Sequence, residues 1–164
     1  FVPDPQSLGF LTPRLSQVAE SITQDYVEAA NYVKLFLPDG EIDFVAAPNL
    51  TSPAYTVETI MGRQVKVETS VEIIAKKMWH RGDHITGRDI FDFALVASCE
   101  PENLLSARQF MIRHAAAVHQ QLRDRYAPLK LQFDAVDALH FHPTFDDACQ
   151  IMSDMLHLMA SQDF

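Results

Sequence analysis

Apolar positions recur at two spacings along this chain, and the change of spacing divides it. Asn31–Leu37 is rich in β-formers, Pro38-Asp39-Gly40 reads as a turn, and Glu41–Val45 alternates polar and apolar residues. That pattern predicts a hairpin. Tyr55–Thr59 and Gln64–Val67 predict two more short strands around Met61-Gly62. Ahead of them, residues 1–11 predict a loop. Thr12–Tyr26 predicts a helix, with Pro13 in its first turn and Leu15, Val18, Ala19 and Ile22 on one stripe. Pro48–Pro53 predicts another loop.

From Thr69 onward the spacing becomes three and four. Thr69-Ser-Val-Glu72 has the form of a capping box and predicts a helix to about His80. Arg81–His84 connects it to a second cap, Thr86-Gly-Arg-Asp89, with a helix to about Ser98. A long helix is expected from Pro101 to about Arg125, and a last one from Asp146 to Met159. Strands precede helices, so the fold class is α+β, divided into residues 1–68 and a helical region, 69–164.

Composition narrows the class. Of 164 residues, 48% are hydrophobic and 21% charged, which fits a soluble globular protein, and no run is apolar enough to cross a bilayer. A net charge of −9 argues against a broad grip on nucleic acid but leaves room for a local basic pocket. Cys99 and Cys149 have neither disulfide nor metal spacing; they read as reduced core thiols, which points to the cytoplasm.

The candidate chemistry lies in the paired helices. Lys76 stands four residues after Glu72 and reads as a solvated helix partner. Lys77 has Ile73, Ile74 and Arg81 as its helical neighbours, so its counter-ion must come from elsewhere. The second helix is apolar nearly all round, and its charges are Arg88, Asp89 and Asp92, confined to two turns. Buried charges must be paired or bound to something. Either these residues form a structural ion network, with Lys77 and Arg88 neutralising the aspartates, or they belong to a phosphate or nucleotide site. On the first hairpin, Glu41 and Asp43 share one strand face; Asp43 is either an exposed edge carboxylate or a functional one. His140 and His142 read as a loop pair without a third ligand. Arg108 and His114 echo the spacing of a helical RNase.

Glu72-Ile-Ile-Ala-Lys-Lys-Met-Trp-His-Arg81 followed by Gly87-Arg-Asp-Ile-Phe-Asp-Phe93 resembles the paired motifs of the AbiEii/AbiGii-type nucleotidyltransferase toxins. The hairpin ending in Glu41-Ile-Asp-Phe44 is similar to the strand that bears the third carboxylate of that polymerase-β-like fold. The resemblance implies a nucleotidyltransferase core with a mixed sheet in residues 1–68. It also implies Mg2+ on a nucleoside triphosphate and transfer of a nucleotide to RNA, tRNA in particular, or to a protein. On that mapping Asp43 is a metal-site carboxylate, and Asp43, Lys77 and Asp89 are the catalytic residues. Lys76, Lys77, Arg81, Arg88 and Asp92 hold the nucleotide. A cognate antitoxin is the expected partner, and no membrane is involved. The family's Gly-rich turn and Asp-x-Asp strand are expected upstream, because Phe1-Val-Pro-Asp-Pro5 looks like the exit from that strand. The alternative is an inactive remnant or interaction module in which the Lys/Arg/Asp cluster only joins two helices.

Overall fold

A computed structural model describes residue 2 and residues 4–161. They fall into two compact units, Phe1–Asn49 and Leu50–Phe164. The fold is α+β with a helical C-terminal half.

The first unit is a three-stranded antiparallel sheet of β1 (Tyr26–Ala29), β2 (Tyr32–Leu37) and β3 (Gly40–Val45), in the order β1-β2-β3. The β2–β3 hairpin forms where alternation predicts it. Val33 and Leu35 of β2 turn inward and are buried with Leu8 of a 3-10 turn, Pro5–Phe10. The parallel component of this sheet is a bridge between Val2 and Ala46, in which Val2 N–H donates to Val45 O at 2.9 Å. Phe1 and Pro3, part of the expected strand exit, lie outside the described residues.

The helix expected over Thr12–Tyr26 shrinks to α1, Gln17–Ile22. Its start is delayed because Thr12 Oγ1 and Arg14 both bond Glu28 of β1, at 2.8 and 2.7 Å, and Ser16 caps the helix instead. The end is early because Tyr26 enters β1. The apolar stripe is mostly exposed, with only Ala19 buried among Leu15, Val18, Ala19 and Ile22.

The second unit opens with the hairpin β4 (Tyr55–Ile60) and β5 (Arg63–Glu68), which the contacts group with the helices rather than with residues 1–49. Its turn has Met61 and Gly62 at φ of 49° and 77°, the backbone of a tight hairpin that glycine makes accessible. Helices α2 (Ser70–Arg81), α3 (Gly87–Cys99), α4 (Pro101–Ser106), α5 (Arg108–Met111), α6 (Ala115–Asp124), α7 (Tyr126–Asp134) and α8 (Phe145–Ser161) follow. The long helix expected from Pro101 to Arg125 is thus broken at Ala107 and at a 3-10 turn Ile112–His114, while its last piece, α6, ends at the expected place with Arg125 as its C-cap. No proline or glycine marks those breaks; Leu104, Ala107, Met111 and Val118 are each buried across them, so packing decides.

Helix α3 is central and packs on α2, α7 and α8. Ile90, Phe93 and Ala94 are inaccessible or nearly so, and Met152, Leu156 and Met159 of α8 complete the core. Gly87 lets α7 come close. A Cβ there would stand 2.3 Å from Phe133 N and 2.5 Å from Leu129 O, so any side chain collides with backbone. Gln132 of α7 uses that proximity to accept a hydrogen bond from Gly87 N–H at 2.9 Å. Among the described residues no helix is long and apolar enough to cross a membrane.

Candidate functional site

Two capped helix starts set the geometry. Thr69 Oγ1 accepts from Glu72 N–H at 3.1 Å and starts α2. The Glu72 carboxylate does not reach back to complete the expected box. It is wholly buried and takes Leu50 N–H at 3.0 Å, Thr51 N–H at 2.7 Å and the Thr51 hydroxyl at 2.7 Å. Burial opposes its ionisation, but those donors and Lys76 hold the carboxyl below its ordinary range. Thr86 completes the second box: its hydroxyl accepts from Asp89 N–H, and Asp89 Oδ2 accepts from Thr86 N–H at 3.0 Å.

Asp89 is then the hub of the charged cluster. It is 4% exposed. Its Oδ2 also takes the Thr86 hydroxyl at 2.8 Å, and its Oδ1 lies 3.1 Å from Lys77 Nζ and 2.6 Å from Arg81 Nη2. Burial raises the cost of ionising Asp89, yet the Thr86 hydroxyl and the charges of Lys77 and Arg81 prevail and keep its carboxyl below the usual carboxylate range. Lys77 Nζ also bonds Asp92 Oδ2 at 2.5 Å, while Arg88 Nε stands 3.8 Å from the same oxygen. Three cations thus meet two carboxylates, leaving one positive charge in excess. The surplus faces solvent: the side chains of Arg88 and Arg81 are 76% and 49% exposed, against 20% for Lys77.

Lys76 is not the solvated partner its spacing suggested. It is 4% exposed and its ammonium bonds Glu68 of β5 and Glu72, the latter at 3.2 Å. The i,i+4 spacing to Glu72 is present, but Glu68 at the end of β5 adds a second carboxylate. Asp43, in the first unit, is about half exposed and lies opposite Lys34 in the β2–β3 register; Lys34 Nζ is 3.4 Å from Asp43 Oδ1 and 2.7 Å from Glu41 Oε1. Among the described residues no group of three or more His, Cys, Asp or Glu side chains could hold a metal ion. Asp89 Oδ1 and Asp92 Oδ2 are turned to cations, Asp89 Oδ2 to Thr86, and Asp43 Oδ1 to Lys34. The described residues therefore do not make a complete ion site.

The cluster has the composition and spacing on which the resemblance rests, and a comparison with known families agrees. The family model described as nucleotidyl transferase AbiEii toxin, Type IV TA system, matches residues 2–158. The chain belongs to this AbiEii family. No curated protein and no solved structure matches it.

Within this AbiEii chain, several residues that build the site carry little signal in the sequence. Gln121 and Arg125 bind the backbone of the α2–α3 connection, although a glutamine and an arginine four apart look like ordinary helix surface. Thr86 was legible as a cap, but not as the donor that fixes Asp89. Arg108 opens α5, and His114 packs on the backbone of Gly82, whose Cβ position lies 2.8 Å from His114 Cβ.

Proposed function

We propose that this AbiEii-family chain transfers a nucleotide from a nucleoside triphosphate to an RNA or protein acceptor, and that Lys77, Arg81 and Arg88 form its phosphate-binding edge. The observation that carries this reading is the excess positive charge at Lys77, Arg81, Arg88, Asp89 and Asp92, with two guanidiniums open to solvent. An arginine fork suits phosphate oxygens, and its weak hydration lowers the cost of exchanging water for an anion.

In nucleotidyl transfer an acceptor oxygen attacks the α-phosphorus, the bond to the bridging oxygen breaks, and pyrophosphate leaves carrying the added charge. Cations on the β- and γ-phosphates stabilise that charge and hold the nucleotide for in-line attack. Lys77, Arg81 and Arg88 are assigned this role. Asp89, ionised and saturated with donors, is a poor proton acceptor; its task is to orient Lys77 and Arg81. Asp92 does the same for Lys77 and Arg88. Lys76, covered by Glu68 and Glu72, holds α2 in place. Asp43 is the carboxylate the family pattern assigns to Mg2+, although the described residues make no complete ion site.

A second reading is favoured by the saturation of Asp89: the network fastens α2 to α3 and does nothing else. The two separate in one assay. The protein is incubated with each of the four α-32P-labelled nucleoside triphosphates, Mg2+ and a total RNA pool, and label in RNA and in protein is measured. The expected outcome is label from at least one triphosphate, lost in Lys77→Met. Label that persists undiminished in Lys77→Met would leave the network as a fastening only.

A further inference from the structure

The connection between the two helices of the site is held from outside by a second set of residues. Gln121, near the end of α6, is 9% exposed and has its amide fully used. Its Oε1 accepts from Ile85 N–H at 3.0 Å and from Arg125 Nη1 at 2.9 Å. Its Nε2 donates to Gly82 O at 3.1 Å and to Ala117 O at 3.3 Å. Arg125 Nη1 also donates to Ile85 O at 3.3 Å. Both ends of the 3-10 turn Gly82–His84 are therefore tied to α6 and its cap, while the Ile85 side chain is sunk in the core at 1% exposure.

The place of this clamp in the chain gives it meaning. Arg81 precedes Gly82 directly, and Thr86 follows Ile85. Arg81 Nη2 and the Thr86 hydroxyl are two of the three side-chain donors that converge on Asp89. We propose that Gln121 and Arg125 are positioning residues of the phosphate-binding edge, setting the distance between the Lys77–Arg81 end of α2 and the Thr86–Asp89 start of α3. This rests on the reading of that edge given above. The clamp touches no phosphate. It acts by holding backbone, and small misplacements of a binding group are costly: about 1 Å can forfeit up to about a hundredfold in rate.

The test is titration of a fluorescent ATP analogue, MANT-ATP, into the full chain, well below the melting temperature of each variant. Gln121→Leu removes all four hydrogen bonds at similar volume and is expected to weaken binding about tenfold or more. Gln121→Glu keeps the acceptor for Ile85 N–H and Arg125 but sets a carboxylate oxygen against Gly82 O and Ala117 O, and is expected to weaken binding as well. Arg125→Met is expected to weaken binding in the same direction, and it carries the test if Gln121→Leu does not fold. Met159→Ala, deep in the α8 core, is expected to lower the melting temperature while leaving affinity within about twofold of wild type; it shows what mere destabilisation does. Lys77→Met reports on the edge itself. If Lys77→Met abolishes binding while Gln121→Leu and Arg125→Met only lower the melting temperature, the clamp is purely structural and the proposal fails. If Lys77→Met binds as wild type does, the phosphate-binding reading fails, and the clamp's role falls with it.

Discussion

Arg81 Nη2 lies 2.6 Å from Asp89 Oδ1, joining an exposed guanidinium on α2 to a buried carboxylate on α3. The pair is asymmetric. Asp89 is held by its own cap and has no freedom, while about half of the Arg81 side chain stays in water. A solvated arginine anchored at one nitrogen keeps its remaining donors for something else, and Lys77 and Arg88 border the same cluster.

The approach of α7 to α3 makes Gly87→Ala a sharp test of the scaffold. Alanine ordinarily gains about 1 kcal/mol over glycine in a helix. Here the added Cβ would fall under 3 Å from the Phe133 and Leu129 backbone, so overpacking wins. The expected loss is about 1–3 kcal/mol, read as a lower urea midpoint with an unchanged slope.

Stability should fall in acid through two carboxylates. Asp89 and Glu72 both have folded-state pKa values below their ordinary ones. The stability they contribute is complete above the unfolded values, about 4, and is lost as pH falls through the folded ones. Their contribution to the urea midpoint should therefore be level from neutral pH to about pH 5 and drop below about pH 4, while His119, whose pKa burial lowers, adds a loss that begins below its ordinary value of about 6.5. Glu72→Gln should cost about 1–3 kcal/mol at neutral pH, since Leu50 and Thr51 lose a charged acceptor, and should flatten the acid limb.

How much of this was legible in the sequence follows from which forces are local. The caps at Thr69 and Thr86, the β2–β3 and β4–β5 hairpins and the apolar faces of α2, α3 and α8 are written in short-range patterns, and they formed. The grouping of Lys77 with Asp89 and Asp92 was legible too, because Lys77 lacks an anion on its own helix. What failed depended on contacts distant in sequence. Lys76 was misread because Glu68 of β5 covers it; the 12–26 helix because Glu28 captures Thr12 and Arg14; the 101–125 helix because its bends are dictated by core packing. The clamp at Gln121 was invisible for the same reason: its partners lie 36 and 39 residues away.

Asp43 separates a fold role from a chemical one. Its bond to Lys34 is partly exposed and worth no more than about 1 kcal/mol, so Asp43→Asn should leave the melting temperature within a few degrees of wild type. If Asp43 serves the transfer reaction as the family pattern implies, the same substitution removes Mg2+-dependent labelling from the radiolabelled triphosphate. Unchanged labelling would make it a hairpin carboxylate only.

The central claim is that Lys77, Arg81 and Arg88 hold phosphate. Calorimetric titration of ATP into wild-type protein and Lys77→Met, with urea unfolding of both, tests it most directly. Binding to wild type is expected to be measurable and to weaken at least about tenfold in Lys77→Met, a change of about 1.4 kcal/mol. Only a modest loss of stability is expected with it, because Arg81 and Thr86 still hold Asp89. Equal ATP affinity in the two proteins, with stability lower by about 3–5 kcal/mol in Lys77→Met, would contradict that claim and leave Lys77 as the fastening between two helices.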